Sequence, residues 1–244
     1  MIARLEQHFP KHHAILGEQN LRALIQLGWK SAEMHKFSSE RNVTRYIELM
    51  CLLGSGFSDD PQMPWASRML QEPSSASEDA RMDQLYDRAW DYTHHVAADY
   101  RDLVEGGDSS RFVAAVSEIR HCPTTNLEAS GAKQLEADLT LRLEAIFPAK
   151  CKYIGRDCVV ALIRRAIETA RRYGITSTRG IVLFAVLMFV VGSGFHADPQ
   201  LPWASRVLTD KSITNQVVRA NQLFAEAMVC LKQWWGIQVG SQAT

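Results

Sequence analysis

Two stretches decide the fold: GSGFSDDPQMPWASRML at residues 54–70 and GSGFHADPQLPWASRVL at residues 192–208. Thirteen of the seventeen positions are identical. Working outward, the same offset of 138, without a gap, aligns Arg4, Leu5 and Glu6 with Arg142, Leu143 and Glu144, and Phe9 and Pro10 with Phe147 and Pro148. It continues through Gly17 and Gly155, Ala23 to Ile25 and Ala161 to Ile163, and Gln84-Leu85 and Gln222-Leu223. A register held over that length marks an internal repeat, which governs how every other motif is read. The expected organisation is repeat one over 1–100, a connector over 101–138, repeat two over 139–238 and a short tail over 239–244.

Each copy reads as helical. Leu21, Leu24, Ile25 and Gly28 recur at helical spacing, as do Tyr46, Ile47, Met50, Cys51 and Leu53, and no alternating strand pattern of useful length competes. In copy two, residues 159–173 are amphipathic with a basic outer side, and 180–191 are apolar on every face, as a helix in the middle of a bundle would be. The last helix of each copy is expected near 77–104 and 215–235, and the connector carries its own helix near 111–120. The expected fold class is all-α: two tandem homologous helical repeats with pseudo-two-fold symmetry, packed into one bundle-like unit. The apolar helices near 46–53 and 180–191 are the candidates for the central contact.

Composition narrows the function. Of 244 residues, 46% are hydrophobic and 22% charged, enough to bury a core. Basic and acidic residues balance at 27 each, which removes the global field expected of a dedicated nucleic-acid or membrane-surface binder. The most apolar run, 181–191, is too short to span a bilayer. Arg4, Glu6 and His8 interrupt the N-terminus where a secretory signal needs an apolar segment, so a cytoplasmic location is expected. Five cysteines without a CxxC pair indicate neither a disulfide framework nor a zinc site. His8, His12 and His13 lie at a spacing that suits a metal, but no nearby carboxylate or cysteine completes a ligand set.

The repeated loop has a structural reading. Gly54 and Gly192 follow apolar helices and suit C-caps. Asp60-Pro61 and Asp198-Pro199 fit an N-cap carboxylate followed by proline at the first helical position. Phe57, Trp65, Phe195 and Trp203 then pin the loop to the core. A functional reading stands beside it: Asp60, Gln62, Asp198 and Gln200 form a matched pair of polar loops able to flank one site. No phosphate-binding glycine pattern, HExxH or nucleophile-base pair accompanies them, so no cofactor, no metal and no enzyme activity are expected.

Charge is unevenly placed. Residues 71–108 carry ten acidic side chains against Arg81, Arg88 and Arg101. Asp79, Asp83, Asp87 and Asp91 recur every four residues, a stripe in which like-charge neighbours cost about 0.2–0.5 kcal/mol each. The equivalents in copy two, Val217, Asn221, Ala225 and Val229, show that the helix does not require acid there. The stripe is therefore the candidate surface for a basic partner. Residues 142–179 carry nine basic side chains, including Arg164, Arg165, Arg171 and Arg172, with few interleaved aromatics for single-strand stacking.

The repeated GSGFxxDPQxPWASR motif resembles that of a family of helical bacterial proteins encoded beside type VI secretion effectors, namely immunity proteins of nuclease effectors. The resemblance rests on the two motif copies, overall size and helical character. Copy one departs from the pattern with Ser58 and Asp59 where copy two has His196 and Ala197. The resemblance implies a non-enzymatic protein that neutralises a cognate effector by occlusion, with that effector as partner and no direct contact with nucleic acid or membrane. The other classes compatible with the residues are an effector-loading adaptor and a small-ligand binder or enzyme using the paired DPQxPW loops.

Overall fold

The computed structural model describes residues 1–72, 75–104, 119, 122–128 and 131–235, with the backbone course alone at 97–104 and 235. Eleven α-helices hold about three-quarters of the described residues: α1 (Ile2–His8), α2 (Pro10–Met34), α3 (Glu40–Leu53), α4 (Pro64–Gln71), α5 (Glu78–Val104), α6 (Ala132–Ile146), α7 (Pro148–Ile154), α8 (Arg156–Arg172), α9 (Thr178–Val191), α10 (Pro202–Thr209) and α11 (Gln216–Trp235). No strand occurs among the described residues; one isolated antiparallel bridge joins Asn126 and Ser177. The all-α expectation holds, and the two long terminal helices begin within a residue of where the sequence places them. The connector helix expected at 111–120 lies outside the described residues apart from Ile119, as does the tail at 239–244.

Local chemistry sets the helix ends. Ser39 caps α3 by accepting the Asn42 amide at 3.3 Å, and Ser177 caps α9 by accepting the Gly180 amide at 3.3 Å. The chain just before each cap is tied to the start of a later helix. The Glu78 carboxylate accepts from the Ser38 and Ser39 amides, and the Gln216 side-chain oxygen accepts from the Thr176 and Ser177 amides. Gly17 interrupts α2 with φ 68° and ψ 168°, and Gly155 separates α7 from α8 with φ 85° and ψ 152°. Both are backbone geometries that a side chain disfavours.

The core forms two groups of buried apolar side chains. One is built on α1–α5 around Leu21, Leu24, Tyr46, Ile47 and Met50; the other is built on α6–α11 around Leu162, Ile163, Phe184, Phe189 and Leu223. Ile154 and Trp234 pack against both. The helix α9 is buried along nearly its whole length because α8 and α11 cover its sides. The two helices that the sequence singles out for the central contact do meet, at their C-terminal ends. Helices α3 and α9 meet end to end: the Val191 carbonyl oxygen lies 3.6 Å from the place a Cβ on Gly54 would take, and the Leu53 carbonyl oxygen the same distance from one on Gly192.

Candidate functional site

The two repeated loops meet where α3 and α9 end. Gly54 and Gly192 are the C-caps of those helices, at φ 92° and 101°, so their glycine identity is required by the turn each chain makes. Each chain then runs through a single 3-10 turn, Phe57–Asp59 or Phe195–Ala197, with Phe57 and Phe195 fully buried beneath it. Trp65 and Trp203 are buried on the following helices, as expected.

The aspartates do something other than cap a helix. Helices α4 and α10 start at Pro64 and Pro202, so Pro61 and Pro199 lie in the turn before them, and neither helix has a side-chain N-cap. The Asp-Pro pair resembles a helix start, but each helix begins at the second proline, three residues on. The Asp60 Oδ1 atom accepts the Gln62 amide at 2.8 Å, and the Asp198 Oδ1 atom accepts the Gln200 amide at 2.9 Å, closing the local turns. The second oxygen of each carboxylate crosses to the other half of the molecule. Asp60 Oδ2 accepts the Ser193 amide at 2.7 Å, and Asp198 Oδ2 accepts the Ser55 amide at 2.8 Å.

The glutamines cross over in the same way. Gln62 Nε2 donates to the Met188 carbonyl at 3.0 Å, and Gln200 Nε2 donates to the Met50 carbonyl at 2.8 Å. These are carbonyls in the last turn of α9 and α3, so each loop caps the helix end of the opposite half. Between them the backbones touch at Gly56 and Gly194. A Cβ on Gly56 would stand 3.2 Å from the Gly194 Cα, and one on Gly194 would stand 3.3 Å from the Gly56 Cα. Burial raises the Asp198 carboxyl above the usual carboxylate range, against the lowering effect of its bonds from Ser55 and Gln200.

Two further residues complete the junction, and the sequence reading missed their shared role. His12 Nε2 lies 3.0 Å from the Cys51 carbonyl oxygen, and Lys150 Nζ donates to the Phe189 carbonyl oxygen. Each follows a Phe-Pro helix start, and each supplies a nitrogen to a carbonyl near the C-terminal end of α3 or α9, where the helix dipole favours positive charge. The offset of 138 places Lys150 opposite His12, and that arithmetic was the available signal. Burial lowers the His12 pKa, opposed by its bonds to Cys51 and Gln200. His196 is likewise lowered by burial and then by Arg172 and Arg165; its Nδ1 pairs with the Tyr173 hydroxyl at 3.1 Å.

Beside the interlocked loops lies a cavity of about 560 Å³. Its wall takes residues from both halves, chiefly apolar: Leu53, Met63, Tyr92, Val190, Leu231 and Trp234 among them. The polar groups in the wall include Gln62, Gln200, His12, Lys150 and Asp198. The paired loops thus do flank one space, with the glutamines in its lining and the carboxylates committed to holding the loops together.

The acidic stripe on α5 is only partly free. Asp79 accepts from the Asn42 side-chain Nδ2 at 2.7 Å and lies 3.9 Å from Arg41; Asp83 pairs with Arg45. Asp91 accepts the Tyr153 hydroxyl at 2.6 Å, which, with His95 and Arg88 beside it, holds its carboxyl below the usual range. Three of the four acids therefore tie α5 to α3 and α7 and bring opposite charge alongside. Asp87 is exposed, and among the described residues no hydrogen bond or ion pair engages it. On the same outer side, one turn along, Trp90 is 74% exposed. Among the arginines of the second half, Arg165 lies 3.2 Å from Asp59, so part of that basic side is spent on a contact between halves.

Among the described residues no helix is long and apolar enough to cross a membrane, and no group of three or more histidine, cysteine or acidic side chains is placed to hold a metal. No family model matches the chain, and no curated protein and no solved structure is significantly similar to it.

Proposed function

We propose that this chain is a non-enzymatic binding protein that neutralises a cognate protein toxin, a type VI secretion effector with nuclease activity, by covering a basic surface of it from the outer face of α5. The observation that carries the reading is Trp90. A tryptophan three-quarters exposed on a helix, with the exposed Asp87 one turn before it, is an arrangement that anchors protein interfaces: one large rigid aromatic beside a charge that steers a basic partner. The resemblance of the repeated motif to effector-associated immunity proteins points the same way.

The fold fits a tandem duplication about a pseudo-two-fold axis through the Gly56–Gly194 contact. Two observations support that reading: helix boundaries that recur after 138 residues, and loop hydrogen bonds that are reciprocal under the same offset. On this account the duplicated frame holds the molecule rigid, and the functional surface lies where the copies differ.

The test is co-expression with the product of the adjacent reading frame. The two proteins are expected to purify together, and cells producing the toxin are expected to survive only with this chain present. Trp90→Ala should weaken the complex about thirtyfold or more while leaving the melting temperature unchanged. Absence of a complex, or an unchanged affinity in Trp90→Ala, overturns the proposal.

A further inference from the structure

We propose that Leu52 and Trp90 receive one branched aliphatic side chain from a helical segment of the partner protein, with a basic residue one turn away on that segment meeting Asp87. The inference rests on the reading that Trp90 faces a partner, and names what that partner must bring.

Register places the two residues together. Asn42 Nδ2 donates to Asp79 at 2.7 Å, Arg45 pairs with Asp83, and the Tyr86 hydroxyl donates to Glu48 at 2.5 Å, so α3 and α5 run side by side with one polar rung per turn. One turn beyond Glu48 and Tyr86 come Leu52 and Trp90. This rung is apolar and open: Leu52 is 48% exposed and Trp90 74%. Leu52 also lines the cavity between the halves, as does Thr93, one turn after Trp90, so the exposed apolar surface continues into a concave one. A patch of that shape suits a protruding apolar side chain.

The other half shows what covers such a rung. The offset of 138 carries Leu52 to Val190 and Trp90 to Met228, on α9 and α11. Ile119, itself 4% exposed, shares one narrow apolar cleft with them, and Val186 and Phe224 stand there at the places of Glu48 and Tyr86. Val190 is buried and Met228 half-buried as a result. Ile119 belongs to the connector, and its neighbours tie it to the second half. Its carbonyl accepts the Cys122 amide at 3.2 Å, and the Cys122 and Pro123 carbonyls accept from the side chain and the amide of Arg179 at the start of α9. In the first half Leu52 and Trp90 stay uncovered, and a partner supplies there what Ile119 supplies in the second.

Charge sets the other requirement. Asp87 is exposed one turn before Trp90, with no ion pair among the described residues, and its counterpart in the covered half is Ala225. The neighbouring rungs are already matched, Arg45 with Asp83 and Glu48 with Arg4 and Tyr86. A lysine or arginine one turn from the aliphatic side chain therefore meets the charge left over.

Peptide selection tests this without the toxin. A phage-displayed library of alanine-based helices, randomised along one face, is panned on the whole protein. The expected result is recovery of peptides with isoleucine, leucine or valine at one position and lysine or arginine one turn away. Their affinity should fall at least fivefold in Leu52→Asp with the melting temperature kept, and Asp87→Asn should weaken them and reduce their salt dependence. Leu52→Ala serves the same purpose if the aspartate variant folds poorly. Failure to recover peptides, an acidic or wholly polar consensus, or undiminished affinity in a folded Leu52 variant overturns the proposal. So does a wild-type dimer that Leu52→Asp makes monomeric, which would put a second copy of this chain on the rung. The result is separable from that of the toxin-binding role. A toxin complex weakened by Trp90→Ala but indifferent to Leu52→Asp removes the groove and keeps the role; Leu52-dependent peptides without a toxin complex keep the groove and remove the role.

Discussion

The carboxylate of Asp60 receives the backbone amide of Ser193, 133 residues away, at 2.7 Å in a site closed to solvent. One oxygen shapes the loop it belongs to, and the other holds the loop of the opposite half. Asp60→Ala removes both acceptors and leaves the Ser193 and Gln62 amides unpaired, so a loss of about 2–4 kcal/mol is expected in urea unfolding. The Asp60→Ala/Asp198→Ala double variant should lose less than the sum of the singles, because either change loosens the interface that the other depends on. A wild-type midpoint in Asp60→Ala would show that the crossing bonds hold nothing.

At the Gly56–Gly194 contact each missing side chain makes room for the other backbone. Gly56→Ala places a methyl group 3.2 Å from a main-chain atom that cannot rotate away, and about 1–3 kcal/mol of destabilisation is expected. Gly17→Ala is the informative comparison. There a Cβ meets nothing within 4 Å, and the cost comes from the positive φ alone. Chemical denaturation of the two variants separates crowding from backbone strain. Gly56 itself has φ −95°, so a Gly56→Ala variant as stable as the wild type would show that the two backbones do not crowd each other.

His12 and Lys150 do the same work with different chemistry, so exchange should be tolerated in one direction. His12→Lys keeps a nitrogen within reach of the Cys51 carbonyl and should change stability by no more than about 1 kcal/mol. Lys150→Met leaves the Phe189 carbonyl without that donor and should cost about 1–3 kcal/mol. Thermal melts at neutral pH decide it. A Lys150→Met variant as stable as the wild type would show that the ammonium is dispensable.

Glu78 supplies a pH dependence with a definite sign. Burial pushes its carboxyl up, but bonds from Ser39, Asn42 and Ser38 outweigh that and bring it down to about 2. A carboxylate depressed in the folded state contributes stability that is present above its unfolded value, near 4.3, and is lost as pH falls through the folded value. Glu78→Gln, which installs the residue that Gln216 already provides at the other cap, should be slightly less stable than the wild type at pH 7. The gap should close between about pH 4.5 and pH 2. A gap that stays constant over that interval would remove Glu78 as its source.

Much of this architecture was legible in the sequence. Helical spacing and a gapless offset placed the long helices, and Gly54, Gly192, Trp65 and Trp203 have the structural places their residue types imply. The Asp-Pro pairs were misread because an aspartate before proline has the local signature of a helix start. What decides between a cap and a crossing contact is the position of the other half, which no local pattern contains. The roles of His12 and Lys150 escaped for a similar reason: their chemistry differs, and only the shared place in the offset relates them. The Asp79–Asp91 stripe was visible as charge, but its engagement by Arg45, Asn42 and Tyr153 depends on which face of α5 meets α3 and α7. Trp90, unremarkable in the sequence, stands out only once its surroundings are known.

The crossing bonds also set an order of events for the chain. Asp60 with Ser193, Asp198 with Ser55, Gln62 with Met188 and Gln200 with Met50 are separated by 126 to 150 residues, whereas the contacts that build α2 on α3, or α8 on α9, are nearly local. Closing loops of that length is entropically costly until both ends are already shaped, so the junction is expected to form last in folding and to open first under stress. Hydrogen exchange reads this directly. The Ser55 and Ser193 amides should exchange together and ahead of the amides within α3 and α9. Each half would thus keep its own helices while the clasp between them breathes, so the two halves can part at the junction without either one unfolding.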